Sequence, residues 1–244
     1  MNVCIAHRGW SGKAPENTMA AVRLALQYPD IQAIEIDVQL SKDGVPVLMH
    51  DFVLGRTVKA GGSVKDYTWE ELKQMDAGLW FDESFKGEHI PSLEEVLTEV
   101  RGKLEINIEL KAAGDRYPGL EEKVVELIYK YGMEQEVYIT SFDHDAIKRV
   151  HALAPALKKG LIFGGKPRLI REQLAETGAT ILSMPYPYVT KDFVIEMIEA
   201  GYTVIAWTVD EPDDIQHLLG FHPQLQICTN HPERMIALKK TTAN

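Results

Sequence analysis

Short apolar runs alternate with amphipathic stretches along the whole of this 244-residue chain, and that alternation constrains its fold more than any other feature. The runs are Val3 to Ala6, Ala33 to Val38, Leu104 to Leu110, Val137 to Thr140, Gly160 to Phe163, Ala179 to Ser183, Thr203 to Trp207 and Leu225 to Cys228. Strand alternating with helix is the mark of a parallel sheet, because parallel neighbours need a crossover long enough to hold a helix. Eight such units in a chain of this length predict an α/β fold, a closed (β/α)8 TIM barrel.

The intervening helices carry recognisable ends. Thr190 can cap a helix over Lys191 to Ala200 that stops at Gly201, and the helix within Leu120 to Tyr131 stops at Gly132. Ser92 with Glu95, and Thr68 with Glu71, have the spacing of capping boxes. The segment of approximately 52–91 breaks the alternation: it holds Gly61-Gly62, aromatic residues and one short helix, but no core strand. It is expected as an insertion between the second strand and its helix, over the barrel mouth, where it could shape a pocket or serve as a stabilising surface subdomain. No linker-like composition divides the chain, so residues 1–244 are expected to form a single barrel domain.

A net charge of -10 argues against a long polyanion such as nucleic acid as partner, since that affinity needs clustered Lys and Arg. A small anion held by one or two local cations remains open. The sequence has neither a secretory pattern nor a long apolar span, which predicts no stable membrane insertion. Of the two cysteines, Cys4 lies in the first strand and Cys228 in the last, neighbours in a barrel; two buried thiols in a reducing compartment are preferred to a disulfide. The expected location is cytoplasmic. Nothing in the sequence fixes the oligomeric state.

Strand parity then places the chemistry. Glu35 and Asp37 point one way while Ile34, Ile36 and Val38 point the other, under the helices. In the third strand Leu104, Ile106, Ile108 and Leu110 share the outer face, so Glu109 and Lys111 should reach the same inner rim. Three converging carboxylates repel one another unless a cation sits among them, and hard oxygen ligands without sulfur suit Mg2+ or Ca2+. The alternative is a set of buried ion pairs with Lys111 and Arg8. His7 shares the inward parity of Val3 and Ile5, and His50 arrives at the same rim. Two imidazoles there suit an acid/base pair, and Arg8 offers a planar fork for two phosphate oxygens, with Lys111 adding a point charge. The set fits cleavage of a phosphodiester, in which one proton leaves the attacking oxygen and another reaches the leaving alkoxide. Trp207 shares a face with Thr203 and Ile205 at the end of the seventh strand.

These residues resemble the glycerophosphodiester phosphodiesterase family, metal-dependent barrels with an insertion after the second strand. The likeness is carried by Ala6-His7-Arg8-Gly9, Pro15-Glu16-Asn17-Thr18, Glu35-Ile36-Asp37-Val38, Pro46-Val47-Leu48-Met49-His50-Asp51 and Asn107-Ile108-Glu109-Leu110-Lys111. It continues through Asp76-Ala77-Gly78, Ile90-Pro91-Ser92-Leu93-Glu94-Glu95, Ser141-Phe142 and Ala206-Trp207-Thr208-Val209-Asp210, essentially the full length. The resemblance implies that Glu35, Asp37 and Glu109 hold one divalent cation and that His7 and His50 are the acid/base pair. It implies further that Arg8 and Lys111 bind phosphate and that Trp207 walls the glycerol moiety. The substrate would be a small glycerophosphodiester, cut to sn-glycerol 3-phosphate and an alcohol, with water or the glycerol 2-hydroxyl attacking. The family usually carries Thr-Asp where this chain has Thr229-Asn230, a departure expected to bear on packing after the eighth strand more than on catalysis.

Two other functions compete: a phospholipase-type phosphodiesterase acting on intact lipids, and a non-catalytic phosphodiester-binding sensor. The first lacks an exposed amphipathic membrane helix; the second would be free to lose the histidines and acids that are all present. Gly164-Gly165-Lys166 lacks the spacing of a phosphate loop, and His144, His151 and His217 fall on helical, solvated stretches.

Overall fold

The computed structural model describes residues 2–242. Its strands are β1 (Cys4–Ala6), β2 (Ala33–Leu40), β3 (Pro46–Leu48), β4 (Glu105–Leu110), β5 (Val137–Ser141), β6 (Lys158–Ile162), β7 (Ile181–Pro185), β8 (Thr203–Trp207) and β9 (Gln226–Thr229). Eight of these run parallel in the order β1-β9-β8-β7-β6-β5-β4-β2, and pairing of β1 with β2 closes the ring into a TIM barrel. All eight predicted runs are barrel strands. The sequence pattern missed β3, which pairs antiparallel with Val38 to Leu40 at the end of β2, beyond its contact with β1. Its three residues are too short to register as a periodic run.

The helices pack outside the barrel because each strand's outward residues are apolar. Ile34, Ile36 and Val38 of β2 and Ile106, Ile108 and Leu110 of β4 belong to the large outer core. A second apolar set, Ile5, Ala33, Tyr138, Ile181, Ile205 and Cys228, fills the barrel axis. Cys4 faces the outer core and Cys228 the inner one, so the two thiols stay unpaired although their strands adjoin.

Helix ends follow their signals. α1 (Met19–Leu26) is capped by the Thr18 hydroxyl, and both predicted capping boxes open helices: Thr68 at α2 (Trp69–Leu72) and Ser92 at α3 (Leu93–Val100). α4 (Leu120–Tyr131) stops at Gly132, which has a left-handed φ of 62°. Then α5 (His144–Leu153), α6 (Ile170–Thr177), α7 (Lys191–Glu199), α8 (Pro212–Leu219) and α9 (Pro232–Thr242) complete the ring. Thr190 does sit at the N-cap of α7, but its hydroxyl makes no cap hydrogen bond.

Between β2 and α3 the chain builds its own small apolar cluster: Val47, Met49, Leu54, Val58, Val64, Leu72, Ala77 and Ile90. This satellite core holds the connection against the strands' C-terminal ends, so that His50, Asp51, Phe52 and Arg56 project beside the mouth.

Candidate active site

The site occupies the C-terminal rim of the barrel, where a TIM fold exposes side chains from successive strands. His7 and Arg8 leave β1, Glu35 and Asp37 project from β2, Glu109 and Lys111 end β4, Trp207 ends β8, and His50 follows β3. The turn off β1 is abrupt. Arg8 has φ 54° and Gly9 φ 74°, both left-handed, and a Cβ on Gly9 would lie 2.8 Å from the Ala21 carbonyl carbon of α1. Glycine is needed there, and the turn aims the Arg8 amide at the site, where it donates to Glu35 Oε2 at 2.9 Å.

Parity and register bring the carboxylates together. Glu35 lies level with Asn107, and Asp37 level with Glu109, across the β2–β4 ladder. Glu35, Asp37 and Glu109 are 4%, 1% and 9% exposed, and each offers an oxygen within 4.8 Å of those of the other two. Asp37 is the best satisfied: Asn17 Nδ2 donates to it at 2.8 Å, Arg8 Nε lies at 3.4 Å and Lys111 Nζ at 3.6 Å. Lys111 Nζ also donates to Glu109 Oε1 at 2.8 Å. The acids therefore pair with Arg8 and Lys111 and still crowd one another.

The electrostatics follow from that crowding. Burial alone would raise Asp37, but Lys111 and Arg8 overcome it and hold the carboxyl below its ordinary value. Burial, then the charges of Asp37 and Glu109, push Glu35 well above the ordinary carboxylate range. Burial and Asp37 raise Glu109 to about 7 despite Lys111. Glu35 Oε1 is buried without a hydrogen-bond partner. An orphaned carboxylate oxygen within a hard-oxygen trio fits a divalent cation better than it fits a finished ion-pair network.

The two histidines are held differently. His7 Nδ1 lies 2.7 Å from Asn230 Oδ1, and burial followed by the charge of Arg8 lowers the ring to about 4, so it is neutral at working pH. His50 Nδ1 lies 2.7 Å from Asp51 Oδ1. Burial works to raise Asp51, but hydrogen bonds from Arg56 and His50 bring it down to about 2. Arg56 in turn donates to both oxygens of Glu16, and Glu16 accepts from Arg8 Nη1 at 2.8 Å. A chain of alternating charge, Asp51–Arg56–Glu16–Arg8, thus joins His50 to the arginine that follows the neighbouring strand β1.

His7, Arg8, Glu35, His50, Glu109 and Trp207 share the lining of one cavity of about 120 Å³. Trp207 meets Phe142 edge-on, ring centres 5.8 Å apart, and Phe142 is 47% exposed at the rim. Lys111 faces Phe142 at 6.0 Å and borders an adjoining open groove of about 650 Å³, which Glu109 also lines.

Every predicted site residue reaches the mouth. Sequence reasoning gave no role to the partners, Glu16 and Asn17 before α1, Asp51 beyond β3, and Asp210 and Asn230 after β8 and β9, and did not single out Arg56. All lie in loops, where no periodicity sets direction. The departure at Asn230 needs correction, because its side chain touches His7 itself and does more than pack behind β9.

Comparison with known proteins converges on one family. The model of the glycerophosphoryl diester phosphodiesterase family matches residues 7–234. A glycerophosphodiester phosphodiesterase of Caldanaerobacter subterraneus subsp. tengcongensis is 38% identical over 243 residues, covering 96% of each chain. One from Bacillus altitudinis is 37% identical over 246 residues, covering 98% of this chain and 99% of that one. Among solved structures, an Oleispira antarctica phosphodiesterase in complex with the product sn-glycerol-3-phosphate superposes with a TM-score of 0.92 at 30% identity, over 98% of this chain and 97% of that one.

Proposed function

Because the chain belongs to the glycerophosphoryl diester phosphodiesterase family and is a phosphoric diester hydrolase, we propose that it cuts a small glycerophosphodiester into sn-glycerol 3-phosphate and an alcohol with one divalent cation and the histidine pair His7 and His50. Residues 1–244 act in this proposal as one catalytic domain, with the insertion of about 52–91 forming one wall. The observation that carries it is the convergence of three buried carboxylates, two cationic side chains and two imidazoles on one rim.

Glu35, Asp37 and Glu109 would hold the cation, Mg2+ or Ca2+, which when bound neutralises charge on the phosphoryl oxygens. Arg8 and Lys111 bind the phosphate from either side, their positive charge held in place by Asp37, Glu16 and Glu109. One imidazole takes a proton from the attacking oxygen and the other returns one to the leaving alkoxide. Trp207, with Phe142 at its edge, walls the glycerol moiety. A cavity of about 120 Å³ suits a glycerol phosphate, the product held by the Oleispira relative.

Among the described residues no helix is long and apolar enough to cross a membrane. A water-soluble diester is preferred to an intact lipid because the Oleispira relative is held with the product sn-glycerol-3-phosphate, which carries no acyl chain. A cytoplasmic location accords with the two unpaired thiols.

Product analysis with glycerophosphocholine, glycerophosphoethanolamine and glycerophosphoglycerol, each with Mg2+, Ca2+ or chelator, tests the proposal. Release of sn-glycerol 3-phosphate that chelator abolishes is the expected result. Turnover of micellar lipid alone would transfer the assignment to a phospholipase, and binding without product in saturating metal would transfer it to a sensor.

A further inference from the structure

Hydrogen-bond polarity around Asn230 decides where His7 carries its proton. The Asn230 side chain lies between Asp210 and His7, with Nδ2 donating to Asp210 Oδ2 at 2.7 Å and Oδ1 facing His7 Nδ1 at 2.7 Å. A carboxylate only accepts, and Asp210 Oδ1 already takes Thr229 Oγ1 at 3.0 Å and the Asn230 amide at 2.8 Å. Turning the side-chain amide round would set its carbonyl oxygen against that carboxylate. Asp210 therefore fixes the amide, and Asn230 Oδ1 is an acceptor toward both Ser11 Oγ at 2.6 Å and His7.

His7 Nδ1 must then be the donor. The other ring nitrogen, Nε2, lies 3.8 Å from Glu35 Oε2, too far for a hydrogen bond that would keep a proton there. We propose that Asn230, oriented by Asp210, is a positioning residue that fixes His7 as the Nδ1–H tautomer, leaving the Nε2 lone pair turned toward the carboxylate cluster. His7 accordingly presents Nε2 as a proton acceptor toward a group held at that cluster. The inference rests on the phosphodiesterase activity proposed above and names the residue that positions one of its two imidazoles.

The test is two-bond proton–nitrogen NMR on protein labelled with 15N-histidine, without metal and with Mg2+, with the His7 signal assigned by its loss in His7→Gln. The wild type should show His7 protonated on Nδ1 alone. In Asn230→Ala the ring should become a tautomer mixture, and kcat on glycerophosphocholine should fall about 10–100-fold with KM little changed. Asp210→Asn, which frees the amide to turn, should produce the same pair of changes. Combining Asp210→Asn with Asn230→Asp restores a one-way donor-to-acceptor chain and should recover both the tautomer and most of kcat. Wild-type His7 protonated on Nε2, or Asn230→Ala with an unchanged tautomer and kcat, would overturn the inference. A wild type that shows the Nδ1–H signal but cuts no diester would condemn the proposed activity and the proton role, while leaving the tautomer assignment standing.

Discussion

Asp37 and Glu109 are register partners on adjacent parallel strands, and Lys111 Nζ lies 2.8 Å from Glu109 Oε1 and 3.6 Å from Asp37 Oδ1. One lysine is thus shared between two acids that face the same interior, and Glu35 sits two residues lower on β2 with an unpartnered oxygen. The arrangement leaves more negative charge than its neighbours neutralise, and each prediction about metal begins there.

Glu109→Gln keeps the side chain's shape and the acceptor for Lys111 while removing one charge. The metal concentration for half-maximal activity should rise by roughly tenfold or more, since losing a charged oxygen ligand weakens a hard-cation site directly. Titrating Mg2+ and Ca2+ against activity checks it. An unchanged metal requirement would place the cation elsewhere.

The metal-free protein should lose stability as pH rises. Without a cation Glu109 titrates at about 7 against an ordinary 4.5, and Glu35 is also displaced upward, so the folded state holds these protons more tightly than the unfolded chain. A raised carboxyl contributes stability below the ordinary carboxylate range, and that contribution disappears as pH climbs from about 4.5 through about 7. His7, lowered from 6.5 to about 4, works the other way below about pH 6.5, but the two raised carboxyls set the net sign, so chelator-treated protein should melt at a lower Tm at pH 8 than at pH 5. Saturating Mg2+ or Ca2+ should shrink the difference, and Glu109→Gln should reduce it. Differential scanning calorimetry of the three samples suffices, and a Tm that climbs with pH in chelator would contradict the assignment.

His7→Ala and His50→Ala should each lower kcat at least about a hundredfold, in line with the usual contribution of a general acid or base. Both rings lie at the mouth rather than in the packed core, so circular dichroism and Tm should stay near wild type. Near-wild-type turnover in either variant would remove that residue from the reaction.

How much of this was legible in the sequence depended on whether a residue sits in a periodic element. Alternation along β2 and β4 placed Glu35, Asp37, Glu109 and Lys111 on one face, because a strand allows only two directions for a side chain. The same rule aimed Trp207 inward from β8. It could not reach Asn230, Asp210, Glu16 or Arg56, whose directions come from loops such as the left-handed turn at Arg8 and Gly9 and from the satellite core around Leu54 and Val58. Those loop residues supply the Nδ1 partners of both histidines, Asn230 for His7 and Asp51 for His50, which strand parity alone could not place.

Arg56 offers the sharpest test of that loop architecture. Its guanidinium spans Glu16 at 2.8 and 2.7 Å and Asp51 at 2.6 and 3.1 Å, so one side chain fixes both the acid that orients His50 and the acid that orients Arg8. The side chain is 42% exposed, where water screens its ion pairs, so removing it should change Tm little. Arg56→Ala should nevertheless lower kcat about tenfold or more, because Asp51 and Glu16 lose the contact that sets their positions. Arg56→Lys should recover only a small part, since an ammonium cannot reproduce two bidentate contacts in one plane. Full activity in Arg56→Lys would show that charge alone is sufficient there, and full activity in Arg56→Ala would show that the Asp51–Arg56–Glu16 chain does not position the site.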